Sequence, residues 1–156
     1  MAKIAPALQL SNDEIEALLS AESRLRIATM GPGERINLTP MTFGMGGGLI
    51  YIFARGQKVA NLRRNPTCTV LVDIGDAWRD LKGVMLHGTA AVLETEEDEA
   101  RDPHLAEAQL DLGRKHGLAQ DGVTTPYRAT ASGKSRRWIV FTPQDAVSWD
   151  NAKLPT

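Results

Sequence analysis

The chain has 156 residues, 42% apolar and 24% charged, with a formal net charge of −1. That length predicts one domain, residues 1–156 with 1–9 as a flexible arm, and a core large enough to need no covalent staples. Near-neutral charge argues against general nucleic-acid binding, and the single Cys68 excludes an internal disulfide. No apolar run approaches the ~20 residues of a membrane span, and the N-terminus makes a poor signal peptide, so a cytoplasmic protein with no membrane partner is expected.

Ser11 opens the first predicted helix. Ser11 and Glu14 have the spacing of a capping box, Leu10 and Ile15 that of a hydrophobic staple, and Ile15, Leu18 and Leu19 form an apolar stripe. Arg24 to Met30 alternates as a strand, Gly31 to Glu34 turns, and Arg35 to Phe43 returns as a second strand. Pro40 demotes that strand to an edge or a bulge. Gly44 to Gly48 (GMGGG) reads as a turn into a strand over 49–53. Gln57 to Asn65 is a short basic helix, ended by Asn65-Pro66 because a residue before proline avoids the helical region.

Thr67 to Ile74 is β-branched and extended, and Leu81 to Leu93 is a long strand or a bent pair. Glu94 to Glu99 begins a helical segment interrupted by Pro103. His104 to His116 is helical, with Gly117 at its end. Residues 118–135 show no period. Arg137 to Phe141 and Val147 to Trp149 close the chain as two strands. Six or seven strands joined by short turns, with helices at the edges, fit an antiparallel barrel.

The segment from Leu49 to Val72 carries the strongest chemical signal. A strand runs into a turn with Arg55, Gly56, Gln57 and Lys58, where a helix begins. Helix N-termini have unpaired N–H groups and the positive end of the macrodipole, so two added cations make a phosphate seat. A solvated basic face is the alternative. The segment Asn37-Leu38-Thr39-Pro40-Met41-Thr42 is the second candidate. Its free backbone groups and hydroxyls suit the edge of a flat polar ring, and a proline-broken edge strand is the alternative. His87, His104, His116 and Cys68 lack metal-ligand spacing, and no serine sits in a nucleophile elbow. With a phosphate seat and no nucleophile, a cofactor is expected to supply the chemistry.

Together these segments resemble the flavin-binding split-barrel family that includes pyridoxamine 5′-phosphate oxidase and its flavin and deazaflavin relatives. The resemblance runs from about Ser11 to Leu93. It rests on Lys58, Asn61, Leu62, Asn65 and Pro66 in a Lys-x-x-Asn-Leu-x-x-Asn-Pro run after a basic turn, on Leu81 to Ala90 with its Gly-x-Ala ending, and on the first hairpin with Pro40 in place. It implies a mainly β fold, a six-stranded antiparallel split β-barrel with peripheral helices. It also implies a homodimer with cofactor sites at the subunit interface, holding FMN or coenzyme F-420.

Carried over by position, Lys58, Arg55 and Gln57 would surround the cofactor phosphate. Asn37, Leu38, Thr39, Pro40, Met41 and Thr42 would line the ring, and Tyr51, Ile52 and Phe53 would flank the phosphate and ribityl chain. Lys82 would reach over from the second subunit, and Trp78 and His87 would wall the substrate pocket. No catalytic acid, base or metal ligand is assigned.

Three positions depart from the family pattern. Gln57 stands where an arginine precedes the lysine, Gly83 stands where a glutamine is usual, and the C-terminal arginine and histidine that hold pyridoxal phosphate have no counterpart. A true pyridoxamine phosphate oxidase is therefore not expected. The departures fit the deazaflavin branch, whose acidic cofactor tail Arg63, Arg64, Lys134, Arg136 and Arg137 would meet. The expected activity is hydride transfer between the cofactor and a small unsaturated or aromatic molecule. The alternative is a non-catalytic flavin- or haem-binding storage protein of the same fold.

Overall fold

The computed structural model describes residues 3–131 and 135–155. Helix α1 (Asn12–Ala21) starts at the expected capping box: Ser11 Oγ accepts from Glu14 N at 3.1 Å, and Ser11 N donates back to Glu14 Oε1 at 3.5 Å. Strand β1 (Arg24–Met30) exposes its arginines and buries Leu25, Ile27 and Thr29. Strand β2 (Ile36–Thr42) pairs with it antiparallel, from Arg24↔Thr42 to Met30↔Ile36. It is the last strand on that side of the sheet, where Pro40 breaks no interior ladder.

Next come β3 (Gly44–Gly46), β4 (Leu49–Ala54), α2 (Gln57–Arg64), β5 (Thr67–Ile74) and β6 (Lys82–Leu93). Two short helices, α3 (Glu96–Arg101) and α4 (Leu105–Lys115), lead to a hairpin of β7 (Ala119–Gln120) and β8 (Val123–Thr124). Strand β9 (Arg137–Asp150) follows. The main sheet has the order β2-β1-β5-β6-β9-β4-β3, and every pair in it is antiparallel.

The mainly β, split-barrel expectation holds, with two differences of detail. The glycine run contributes a seventh strand, β3, instead of a plain turn. Its glycines serve close approach: a Cβ on Gly44 would lie 2.3 Å from the carbonyl oxygen of Ala108 on α4. The two closing strands are one, because β9 continues through a bulge. There Asp145 pairs with His87 and Pro143 with Gly88, leaving Gln144 as the extra residue.

The sheet curls so that β2 and β4 approach each other without joining in a ladder. Its concave side holds the main core, including Leu25, Ile27, Ile50, Val70, Val84 and Phe141. A second core lies on the other side of β4 and β9, where α4 covers Tyr51, Trp138 and Val140. The two ends of the barrel are capped differently. Helix α1 leads into the Arg24 end of β1, whereas α2 is fastened near the other end, with Asn61 Nδ2 donating to Thr29 Oγ1 at 3.0 Å. Among the described residues no helix is long and apolar enough to cross a membrane.

Candidate functional site

Strand β4 ends at Ala54, and the chain turns through Arg55 and Gly56 into α2. Gly56 has φ 84° and ψ −150°, a conformation in the range that favours glycine, and no side chain caps the helix start. Lys58 is half-buried, and its Nζ donates to the Arg55 carbonyl at 3.0 Å. Burial holds its pKa below the usual lysine value, and the positive charges of Arg55 and Arg136 push it the same way. Three cations thus crowd one uncapped helix start. An arriving anion would relieve both the repulsion and the lost hydration.

The start of strand β2 lies near the start of α2, where Ile36 and Asn37 share a cavity with Gln57 and Asn61. The alternation of β2 turns Asn37, Thr39 and Met41 half inward and leaves Ile36, Leu38, Pro40 and Thr42 exposed. Asn37 Oδ1 and Thr39 Oγ1 are buried and have no hydrogen-bond partner among the described residues. Buried polar atoms are normally paired, so two orphans on one strand mark a place where a ligand donor belongs. A cavity of about 490 Å³ is lined by Gly31, Pro32, Arg35, Ile36, Asn37, Gln57 and Asn61; Thr39, Arg55 and Lys58 lie outside its lining.

The Lys-x-x-Asn-Leu-x-x-Asn-Pro run divides by role. Asn61 is fully buried and accepts from Gln57 Nε2 at 2.7 Å while donating to Thr29, so it fastens α2 to β1. Leu62 is core, and Asn65 Oδ1 accepts from Thr67 N at 3.1 Å to start β5. Lys58 is the member of the run left facing the cationic corner.

The other anticipated residues lie elsewhere. Tyr51 belongs to the second core, where its hydroxyl donates to Asp102 Oδ1 at 2.7 Å; burial and that carboxylate push its pKa upward. Ile52 is fully buried in the main core. Phe53 packs against Trp138, with ring centroids 4.9 Å apart. Lys82 begins β6, 3.7 Å from Asp150 Oδ2, while Ala90 farther along that strand bonds to Pro66 just beyond α2. Trp78 is 62% exposed on a one-turn helix (78–80), and its carbonyl accepts from Asn151 Nδ2 at 2.7 Å. His87 Nδ1 lies 2.6 Å from Asp145 Oδ1, and neither His87 nor Trp78 lines the seam cavity.

The basic set anticipated for an acidic cofactor tail is split. Arg63 makes a two-pronged pair with Glu94, at 2.8 and 2.7 Å, and Arg137 approaches the same carboxylate at 3.8 Å. Arg64 reaches Asn61 Oδ1 at 3.4 Å, and Arg136 is exposed beside Lys58. Lys134 lies outside the described residues.

Two features were missed in the sequence. The orphan oxygens follow from the alternation of β2, which separates Asn37 and Thr39 from Leu38 and Pro40. The other is Trp149: a Cβ on Gly83 would sit 2.6 Å from its Cζ2, so the indole fills the place where the family pattern carries glutamine.

A mainly β, curled antiparallel sheet whose β2 and β4 approach without pairing defines a split barrel. The family model described as pyridoxamine 5′-phosphate oxidase matches residues 11–150, and the chain belongs to that family. A conserved hypothetical protein, Rv2991, from Mycobacterium tuberculosis is 25% identical in sequence, with a TM-score of 0.78 over 99% of this chain and 95% of the other. HutZ, the heme storage protein from Vibrio cholerae, is 15% identical, with a TM-score of 0.65 over 90% and 97%. A structure described as an F420 reductase is 19% identical, with a TM-score of 0.58 over 84% and 94%. The last two likenesses concern the fold alone. No curated protein matches the sequence.

Proposed function

We propose that the protein is a cytoplasmic oxidoreductase that holds FMN or coenzyme F-420 in the seam and acts on a small unsaturated or aromatic molecule. The observations that carry this reading are two buried oxygens on β2 without a partner among the described residues, and a basic, uncapped start of α2, with Asn37 and Gln57 lining one cavity. Both cofactors contain a phosphate and a flat ring with one N–H between two carbonyl groups. Lys58, with Arg55 and Arg136 beside it, would take the phosphate. Asn37 Oδ1 would accept from the ring N–H, and Thr39 Oγ1 would donate to a ring carbonyl oxygen.

The bound ring would supply hydride transfer. The chain's own task is to hold that ring flat in the gap between β2 and α2, and to exclude water from its edge. Backbone donors near Thr39 to Met41 would favour negative charge on the ring by being fixed in advance.

The same reading makes the protein a homodimer. Ile36 and Leu38 are 65% and 64% exposed on the outer side of β2, beside the seam, where a second subunit would cover them. Lys82, Trp78 and His87 would then reach the cofactor from the partner, since within one chain they stand away from the seam. No nucleic acid or membrane takes part. Trp149, filling the place beside Gly83, supports a reaction other than oxidation of pyridoxamine phosphate itself.

The test is titration of the purified protein with FMN, riboflavin and coenzyme F-420, followed by absorption spectrum, melting temperature and oligomeric state. FMN or F-420 should raise the melting temperature of a dimer, and riboflavin, lacking the phosphate, should bind at least about tenfold more weakly than FMN. No response to either phosphorylated cofactor, or equal binding of riboflavin and FMN, defeats the seam assignment. Tight binding without turnover of any acceptor defeats the enzymatic half and leaves the storage role.

A further inference from the structure

A larger cavity lies at the other end of the barrel. It measures about 970 Å³ and opens between α1 and α4, with its floor on β6 and the β9 bulge. None of the residues around it lines the seam cavity. Small-molecule sites usually fall between ~300 and ~1,000 Å³ and are mostly apolar with a few placed polar groups. This one has Ile15, Leu19, Met45, Leu86, Leu110 and Ala146 for walls and floor.

Its charge is one-sided. Asp111 is spoken for: Oδ2 accepts from Met45 N at 2.8 Å and lies 3.1 Å from Lys115 Nζ, and Oδ1 lies 2.6 Å from Arg114. Arg114, the cation of the lining, spends its guanidinium on Asp111 and on the Ser20 carbonyl at 2.8 Å. Three further carboxylates come from three separate elements: Glu16 on α1, Glu107 on α4 with His104 Nδ1 at 3.9 Å, and Asp145 on the bulge, already held by His87 Nδ1 at 2.6 Å. Gly47 N donates to Glu107 Oε2 at 3.1 Å, which holds one of them in place.

The walls are also fixed in advance. Lys115 Nζ donates to the Leu19 carbonyl at 2.8 Å, and with Arg114 on Ser20 this ties the end of α4 to the end of α1. The Lys115 side chain is 1% exposed and lies over the Phe43 ring, 3.8 Å from its centroid, so the tie is internal and not a surface contact.

We infer that this groove is a second ligand site, sharing no lining residue with the seam cavity of the same chain, that takes an organic cation with an apolar body. An apolar floor under a carboxylate rim favours such a molecule over an anion of the same shape by charge, and over a simple inorganic cation by buried area.

Octyltrimethylammonium, octanoate and octyl glucoside, each below its micelle concentration, provide matched probes for calorimetric titration of the full chain. The ammonium compound should bind once per subunit, about tenfold or more tighter than octanoate at low salt. That preference should shrink as salt rises from about 50 to about 500 mM, with octyl glucoside unaffected. The double variant Glu16→Gln/Glu107→Gln should reduce the preference to about threefold or less. Leu110→Arg, at a 47% exposed position, should block the groove without lowering the melting temperature or FMN affinity. Equal affinity for the three probes, binding indifferent to Leu110→Arg, or absence of binding overturns the inference. So does a groove closed by a second copy, seen as a dimer that Leu110→Arg splits. The salt dependence decides the matter on the unaltered protein should either variant fold poorly.

Discussion

Around α4 the buried polar groups close on one another, whereas on β2, at the seam, two of them do not. Tyr51 donates to Asp102 at 2.7 Å, and Trp138 Nε1 donates to the Ala129 carbonyl at 2.8 Å. Lys115 sits among Asp111, the Leu19 carbonyl and a phenyl ring. Across the molecule, Asn37 Oδ1 and Thr39 Oγ1 have no partner among the described residues, and Lys58 is crowded by like charges. Aromatic and cationic side chains occur in both regions. Completion separates them: a finished network holds the fold, and an unfinished one marks where an outside group is needed.

The sharpest way to break that contrast is to damage each side and compare what is lost. Trp138→Ala removes a fully buried indole and its hydrogen bond from the α4 side. It should cost about 3–5 kcal/mol of unfolding free energy, measured by urea titration. Any cofactor effect should vanish under conditions where the variant is still folded.

Lys58→Ala is the counterpart at the seam. It should weaken FMN by about 10–100-fold, as expected for a charge-assisted contact of ~1.5–3 kcal/mol, and leave riboflavin unchanged. The fold should lose nothing, because the lysine is a burden there while no anion is bound. The pH dependence follows from the same cause. A bound phosphate favours charged Lys58 and raises its pKa, so binding takes up a proton wherever the free lysine is already losing one. FMN affinity should therefore fall as pH rises through the lowered Lys58 value, at a pH below that of an ordinary lysine. A flat profile up to the usual lysine range would place the phosphate elsewhere.

What could be read from the sequence follows the same division. Local rules were enough for the capping box at Ser11, the stop at Asn65-Pro66 and the basic helix start, because each depends on neighbours in the chain. The split barrel was legible through alternation and turn spacing. Strand β3 was not, since three glycine-rich residues have no periodic signal and become a strand only by lying against α4. The β9 bulge depends on the partner strand β6. Tyr51 and Phe53 sit in a strand with both faces buried, so alternation gave no warning that they turn toward α4 and not toward the helix start. The orphan oxygens were implicit in β2, but their lack of a partner is a fact about distant chain segments.

Thr39→Val sharpens the contrast at smaller amplitude. Replacing an unpartnered buried hydroxyl by an isosteric methyl should raise unfolding free energy by up to about 1 kcal/mol while weakening the cofactor, with opposite signs in one variant. The smallest effect is expected at Arg63, which separates a satisfied cation from an unsatisfied one on a single helix. Its guanidinium is committed to Glu94 through two hydrogen bonds, while its side chain remains 46% exposed. Exposed pairs of this kind contribute ~0–1 kcal/mol, so Arg63→Ala should change unfolding by no more than about 0.5 kcal/mol. Its effect on FMN binding should be within about twofold, against the much larger loss at Lys58 only five positions earlier. F-420 provides the finer reading. If its acidic tail runs past Arg63, Arg63→Ala should weaken F-420 and spare FMN, because the variant removes a cation and leaves Glu94 uncompensated beside the tail. Equal tolerance of both cofactors would send the tail past Arg136 instead.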